Sequence, residues 1–177
     1  MMGEEHDSEP AGKTLVRRSR WLMLALACVA IVLSVWPAEE KGPSIIGTAT
    51  VVDGDTLRIG GETFRLKGID APELAQTCGS WPAGEEARRA LQRLVDKQGV
   101  RCERTGTDRY DRTTAHCYVG DTDLGAALVR SGLAIAYTTY SMRYLLDEVR
   151  ARIDGVGIHG HNCMGPADWR TTHPRKG

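Results

Sequence analysis

Within Phe64-Arg65-Leu66-Lys67-Gly68-Ile69-Asp70-Ala71-Pro72-Glu73, three chemically capable side chains stand at short intervals. Strand alternation puts Phe64 and Leu66 on one face and Arg65 and Lys67 on the other. Asp70 follows at the end of the strand. Pro72 keeps Ala71 extended, and Glu73 emerges beside Asp70. A guanidinium and two carboxylates thus converge in one segment. Upstream, Asp53-Gly54-Asp55 supplies further acids at a turn. Carboxylates brought together repel unless a cation lies between them. Oxygen donors without neighbouring His or Cys point to Ca²⁺ or Mg²⁺ rather than zinc. Downstream, Asp108-Arg109-Tyr110-Asp111-Arg112 crowds two arginines and a tyrosine into a polar loop. Each piece alone has an ordinary reading: an Asp-Gly-Asp triplet is usually a turn, and a single arginine is usually a surface ion-pair partner. Together they bring arginines and carboxylates of the cation-binding type into neighbouring loops.

The elements that must position these groups are legible from periodicity. Ile45 to Val52 is β-rich, Leu57 to Ile59 resumes a strand after the acidic turn, and Glu62 to Ile69 follows Gly60-Gly61. These three form a meander. Asp55 and Asp70 then leave the first and third strands on the same side of the sheet. From Glu85 to Val95, Ala87, Ala90, Leu91, Leu94 and Val95 make one helical stripe. Two strands, Val100 to Arg104 and Thr114 to Val119, flank the Asp108–Arg112 loop. Asp123 caps a helix running through Arg130, and Ser141 caps a third, with Met142, Leu145, Leu146, Val149 and Ile153 along one side. The expected class is α+β, mainly β: a five-stranded Greek-key barrel of the OB type with about three helices.

The chain of 177 residues suits one domain plus an appendage. Its 23 Lys+Arg balance 23 Asp+Glu, so no broad basic surface exists for non-specific nucleic-acid binding. Recognition of phosphate must come from a few local arginines. Residues 21–36 are apolar and uncharged, and Arg17, Arg18 and Arg20 precede them. This predicts a signal-anchor or signal peptide over 21–38, with a cytoplasmic, disordered 1–20 before it. A linker over 39–44, a folded domain over 45–169 and a flexible tail over 170–177 complete the expected organisation. The domain then lies outside the cytoplasm, tethered to the membrane, or secreted if the segment is cleaved. Four cysteines follow the apolar run, and an even count in an exported domain permits three pairings. A hairpin of the last two strands can set Cys102 opposite Cys117. His159, His161 and Cys163 match no structural zinc spacing, which favours bridging Cys163 to Cys78.

The pieces Asp53–Thr56, Phe64–Glu73, Asp108–Arg112 and Ala127–Ala134 occur in an order and spacing that resemble the staphylococcal nuclease-like (thermonuclease) family. The resemblance covers about residues 46–158. It implies an OB barrel and a nuclease that hydrolyses DNA or RNA at the 5′ P–O bond, leaving 3′-phosphates. It implies Ca²⁺ ligands at Asp55, Asp70 and the backbone carbonyl of Ala71, and a general base at Glu73. It also implies phosphate-binding arginines at Arg65 and Arg112. Tyr110 and Tyr137, with Tyr140, match tyrosines that pack against the nucleotide, which suits single-stranded substrates. No obligate protein partner is evident. Asp111 stands where well-known members have Gly, and Gly157-Ile158-His159 stands where Gly-Ile-Trp is common. The alternative is a catalytically silent module that binds nucleic acid or protein through its barrel.

Overall fold

The first strand, β1 (Ser44–Val51), alternates exposed positions with half-buried or buried ones, Ile45, Gly47, Ala49 and Val51, that turn inward. It pairs antiparallel with β2 (Thr56–Ile59) on one side and with β5 (Gly99–Thr107) on the other. β3 (Glu62–Leu66) pairs with β2, and β6 (Thr113–Val119) pairs with β5. A parallel pairing between β3 and β6, with Phe64 beside Thr113 and Leu66 beside Ala115, joins the two ends. Five strands therefore close into a barrel in the order β3-β2-β1-β5-β6, and closure leaves no open edge among them. The chain is seen here in a computed structural model that describes residues 43–139 and 141–174.

The core is filled by Leu57, Ile59, Phe64, Leu66, Val100 and Ala115 from the barrel, with Leu91, Leu124 and Leu128 from the helices. The expected strand Glu62–Ile69 is shorter than its alternation suggests. It ends at Leu66, and Gly68 turns the chain with φ of +81°, a conformation costly for a residue bearing Cβ. The two-residue β4 (Ile69–Asp70) then pairs antiparallel with β8 (Ile135–Ala136), outside the barrel sheet. A short β7 (Thr122–Asp123) pairs antiparallel with the end of β6.

Four helices are described. α1 (Ala83–Val95) buries Ala87, Ala90, Leu91 and Val95, starting two residues before the expected Glu85. α2 (Leu124–Arg130) is capped by Asp123, whose carboxylate accepts from the Ala126 amide at 3.1 Å. α3 (Leu145–Asp154) differs from expectation in start and in face. It begins at Leu145 rather than after Ser141, and Glu148 and Ala151 are its buried residues. Met142, Leu146, Val149 and Ile153, expected along one side of this helix, are exposed, and Met142 precedes its first residue. The physical reason is Glu148, whose carboxylate accepts from the Ala136 amide at 2.8 Å and pairs with Arg152. That bond to β8 fixes the rotation of the helix. α4 (Pro166–Thr172) starts with Pro at its first position, as helices favour. It runs past Trp169, into the stretch expected to be a flexible tail.

Cys102 and Cys117 face each other across β5 and β6 and are bonded, with Cα atoms 4.1 Å apart. Cys78 is bonded to Cys163, 85 residues away in sequence. The expected membrane segment 21–38, the N-terminal stretch 1–20 and Tyr140 lie outside the described residues. Among the described residues, no helix is long and apolar enough to cross a membrane.

Candidate active site

The acidic turn between β1 and β2 is built by its own polar groups. The Asp55 amide donates to the Asp53 carboxylate at 3.1 Å, and the Val52 amide donates to the Thr56 carbonyl at 2.9 Å. Asp55 is thereby turned inward and is almost wholly buried. Its Oδ1 accepts from Arg65 Nη1 at 2.7 Å and from the Thr56 hydroxyl at 3.0 Å. Its Oδ2 accepts from the Ala71 amide at 3.2 Å. Arg65 reaches this position because β3 pairs with β2 so that Arg65 lies opposite Thr56. The same guanidinium donates through Nη2 to Asp70 Oδ1 at 3.0 Å. Burial works against the charge on Arg65, but Asp55 and Asp70 outweigh it and raise its pKa. Asp70 is 1% exposed, held at the end of β4.

Glu73 follows after Pro72. Its position is fixed by Gln76, itself buried: the Gln76 amide donates to the Glu73 carbonyl at 2.7 Å, and the Glu73 amide donates to Gln76 Oε1 at 3.3 Å. Gly84, in the first turn of α1, packs so closely that a Cβ there would lie 1.9 Å from the Glu73 carbonyl oxygen.

The second arginine on these carboxylates is Arg170, from α4. Its Nη1 donates to Asp70 Oδ1 and Glu73 Oε1, each at 3.1 Å, and its Nη2 donates to Asp70 Oδ2 at 2.8 Å. The segment that delivers it is strapped to the Glu73 loop in three ways. Cys78 is bonded to Cys163. Gln76 Nε2 donates to the Met164 carbonyl at 2.9 Å. His161 stacks on Trp81 with ring centroids 4.2 Å apart. In α4 itself, Trp169 stacks on His173 at 4.3 Å. Arg170 falls within the stretch expected to be a flexible tail, 170–177. The one hint in the sequence was the pairing of Cys78 with Cys163.

Two buried carboxylates share one guanidinium, with a third acid and a second arginine alongside. Residues 63–158, more than half of the chain, match the family described as staphylococcal nuclease homologue. A protein of Haemophilus influenzae named as an uncharacterized endonuclease is 32% identical over 157 residues, covering 84% of each chain. The chain belongs to the staphylococcal nuclease family. A micrococcal nuclease of Shigella flexneri is 31% identical over 84% of this chain and 91% of its own length. A thermonuclease of Staphylococcus intermedius is 31% identical over 65% of this chain and 77% of its own. The closed five-stranded barrel with helices around it fits the OB-type fold of that family. Arg170 lies beyond the matched segment.

The donor set suits a hard divalent cation. Asp55, Asp70 and Glu73 set three carboxylates against two guanidiniums, those of Arg65 and Arg170. Burial pushes the Asp55 carboxyl up to about 7 despite Arg65 beside it, with Asp53 and Asp70 adding to the rise. A cation beside Asp55 would relieve that penalty. Among the described residues no cluster of three His, Cys, Asp or Glu forms a cage. A cation placed here would meet the carboxylates of Asp55 and Asp70, oxygen donors of the kind a hard divalent ion takes.

Arg112 is not on this cluster. It pairs within its own loop, donating from Nε to Asp108 Oδ2 at 2.7 Å, and lies over the Tyr110 ring. Burial raises the Asp108 carboxyl, but the bonds from Arg112 and Tyr110 prevail and hold it low. Asp111 adopts φ of +59°, the left-handed conformation that explains glycine's suitability at this position. Tyr110 is 65% exposed and also has Arg109 over its ring. Tyr137 is half-buried, its amide donating to the Gly68 carbonyl at 2.9 Å. Cys163 of the His159–His161–Cys163 group is consumed by its disulfide.

Proposed function

We propose that this protein is a metal-dependent nuclease that hydrolyses phosphodiester bonds of DNA or RNA, cleaving the 5′ P–O bond and leaving 3′-phosphates. The observation that carries the proposal is the Arg65 guanidinium held between Asp55 and Asp70 at 2.7 and 3.0 Å, next to the loop that fixes Glu73. Family membership supports the same class of reaction.

In this reading Asp55, Asp70 and the Ala71 carbonyl hold Ca²⁺, which would supply positive charge to the phosphate when bound. Arg65 stabilises the charge that grows on the non-bridging oxygens as water adds to phosphorus. Glu73 accepts the proton of that water. The new P–O bond forms as the P–O5′ bond breaks, and the leaving 5′-oxygen takes a proton from solvent. Arg112 serves as the second phosphate ligand once a phosphate draws it from Asp108. Tyr110, exposed and flanked by arginines, offers a stacking face to an unpaired base. Tyr137 and Tyr140 are the further candidates for that contact. Two disulfides support a domain that works outside the cytoplasm, membrane-tethered or secreted.

The test is cleavage of single-stranded DNA and RNA by the purified full chain with Ca²⁺, with and without chelator, and with the product ends identified. The reading requires 3′-phosphate products, chelator sensitivity and severe loss in Glu73→Gln. Undiminished cleavage in Glu73→Gln would show that the base is elsewhere. The Arg112–Asp108 pairing favours a second reading, a binding module without catalysis. Tight binding of an oligonucleotide with no cleavage under any divalent cation would establish it.

A further inference from the structure

We propose that Arg170 is a positioning residue of this site and a resident competitor for its cation. By clamping Asp70 and Glu73, it sets how tightly those carboxylates take a divalent ion. The inference deepens the reading above, since it rests on Asp70 as a cation ligand.

The clamp has three bonds to two acids, one of them almost fully buried. That separates it from an exposed ion pair, which is weak and interchangeable. Each carboxylate oxygen offers about two lone pairs. Asp70 Oδ1 already accepts from both Arg65 and Arg170, and Oδ2 accepts from Arg170. A divalent ion bound by Asp70 must use the remaining capacity of Oδ2 or displace a guanidinium nitrogen. Either way it comes within a few ångströms of the Arg170 charge, where like charges repel strongly at the low effective dielectric of a half-buried site. Full clamping and full cation occupancy therefore oppose each other.

Arg170 is also not left to diffuse into place. The Cys78–Cys163 bond, the Gln76–Met164 hydrogen bond and the Trp81–His161 stack fix its segment to the loop that carries Glu73. The competitor is supplied at high effective concentration by a strap beyond the segment matched to the family.

The experiment is a Ca²⁺ titration by calorimetry on the full chain in mild detergent, disulfides formed, at fixed pH and ionic strength. Arg170→Ala is expected to bind Ca²⁺ at least tenfold more tightly than the native chain. Measurable binding by the variant where the native chain shows none counts the same way. Arg170→Lys, which keeps the charge, is expected to stay near the native value. The double variant Cys78→Ser/Cys163→Ser, which removes the covalent tie of the strap without touching the site, is expected to shift towards Arg170→Ala. A purely structural role would weaken Ca²⁺ binding on loss of Arg170, so the direction separates the two. Equal, weaker or absent binding in Arg170→Ala overturns the inference, as does a lysine variant that binds as tightly as the alanine one. Cleavage by the native chain is read separately. If it cuts nucleic acid while Arg170→Ala leaves Ca²⁺ affinity unchanged, only this inference falls. If Arg170→Ala binds more tightly but the native chain never cuts, only the nuclease reading falls.

Discussion

Burial at Asp55 shapes the site and also imposes a pH dependence on the fold. With its carboxyl pushed up to about 7 by burial, the folded state binds more protons than the unfolded state between the ordinary carboxyl value of 3.8 and about 7. Stability contributed by this residue is thus complete at acid pH and lost as pH rises through that interval. In Ca²⁺-free protein, replacing Asp55 by Asn should flatten the decline in Tm between pH 4 and 7, as followed by scanning calorimetry. For catalysis, Arg65→Ala should cost on the order of 3 kcal/mol in kcat/KM, the scale of one lost charged donor at a transition state; steady-state cleavage rates check this. Arg65, Asp70 and Glu73 were legible because one short segment carries all three and strand alternation tells which way Arg65 points. Arg170 was not. It stands 100 residues from Asp70 and 97 from Glu73, and nothing in a tail of mixed polarity says which loop it will meet. Arg112 was legible as a position but not as a contact, because the adjacent Asp108 captures it.

The elements succeed where periodicity and burial agree and fail where a single polar bond decides. In α1 the apolar stripe is the buried face, and its first turn allows the Glu73 loop to lie against it. Gly84→Ala would set a methyl 1.9 Å from the Glu73 carbonyl oxygen and 2.7 Å from Leu74 Cα, so the loop must move. Because displacing a catalytic group by about 1 Å can cost on the order of 10²-fold, kcat should fall by at least tenfold, with fluorescence-monitored urea unfolding also showing reduced stability. In α3 the stripe of Leu146, Val149 and Ile153 has the right spacing for a core face, yet Glu148 turns it outward by bonding β8. Leu146→Glu and Ile153→Glu, at 69% and 78% exposure, should each change stability by no more than about 0.5 kcal/mol. Glu148→Ala, which orphans the buried Ala136 amide, should cost about 1–3 kcal/mol. Denaturant midpoints of the three variants compare these directly.

At the scale of the molecule, the meander, the hairpin and the barrel class were readable because alternation and turn residues fix each strand. The sequence carries no comparable mark for the parallel β3–β6 pairing that closes the barrel, since its partners lie about fifty residues apart. The two disulfides secure very different spans. In the chain-entropy account, Cys102–Cys117 encloses 15 residues and contributes about 3 kcal/mol, while Cys78–Cys163 encloses 85 and contributes about 4.5 kcal/mol. Guanidinium unfolding of Cys102→Ala/Cys117→Ala and Cys78→Ser/Cys163→Ser should show the larger loss in the second pair.

The two tryptophans of the folded domain, Trp81 and Trp169, each lie flat against an imidazole, that of His161 or His173. A stacked imidazole, above all when protonated, drains the excited state of an indole. The Trp81–His161 pair joins the Glu73 loop to the C-terminal segment and is therefore an optical gauge of whether that segment is seated, whereas Trp169 and His173 both belong to that segment. Emission from Trp81 should brighten when His161 parts from it, so the seating of the segment that carries Arg170 can be followed in real time without a label.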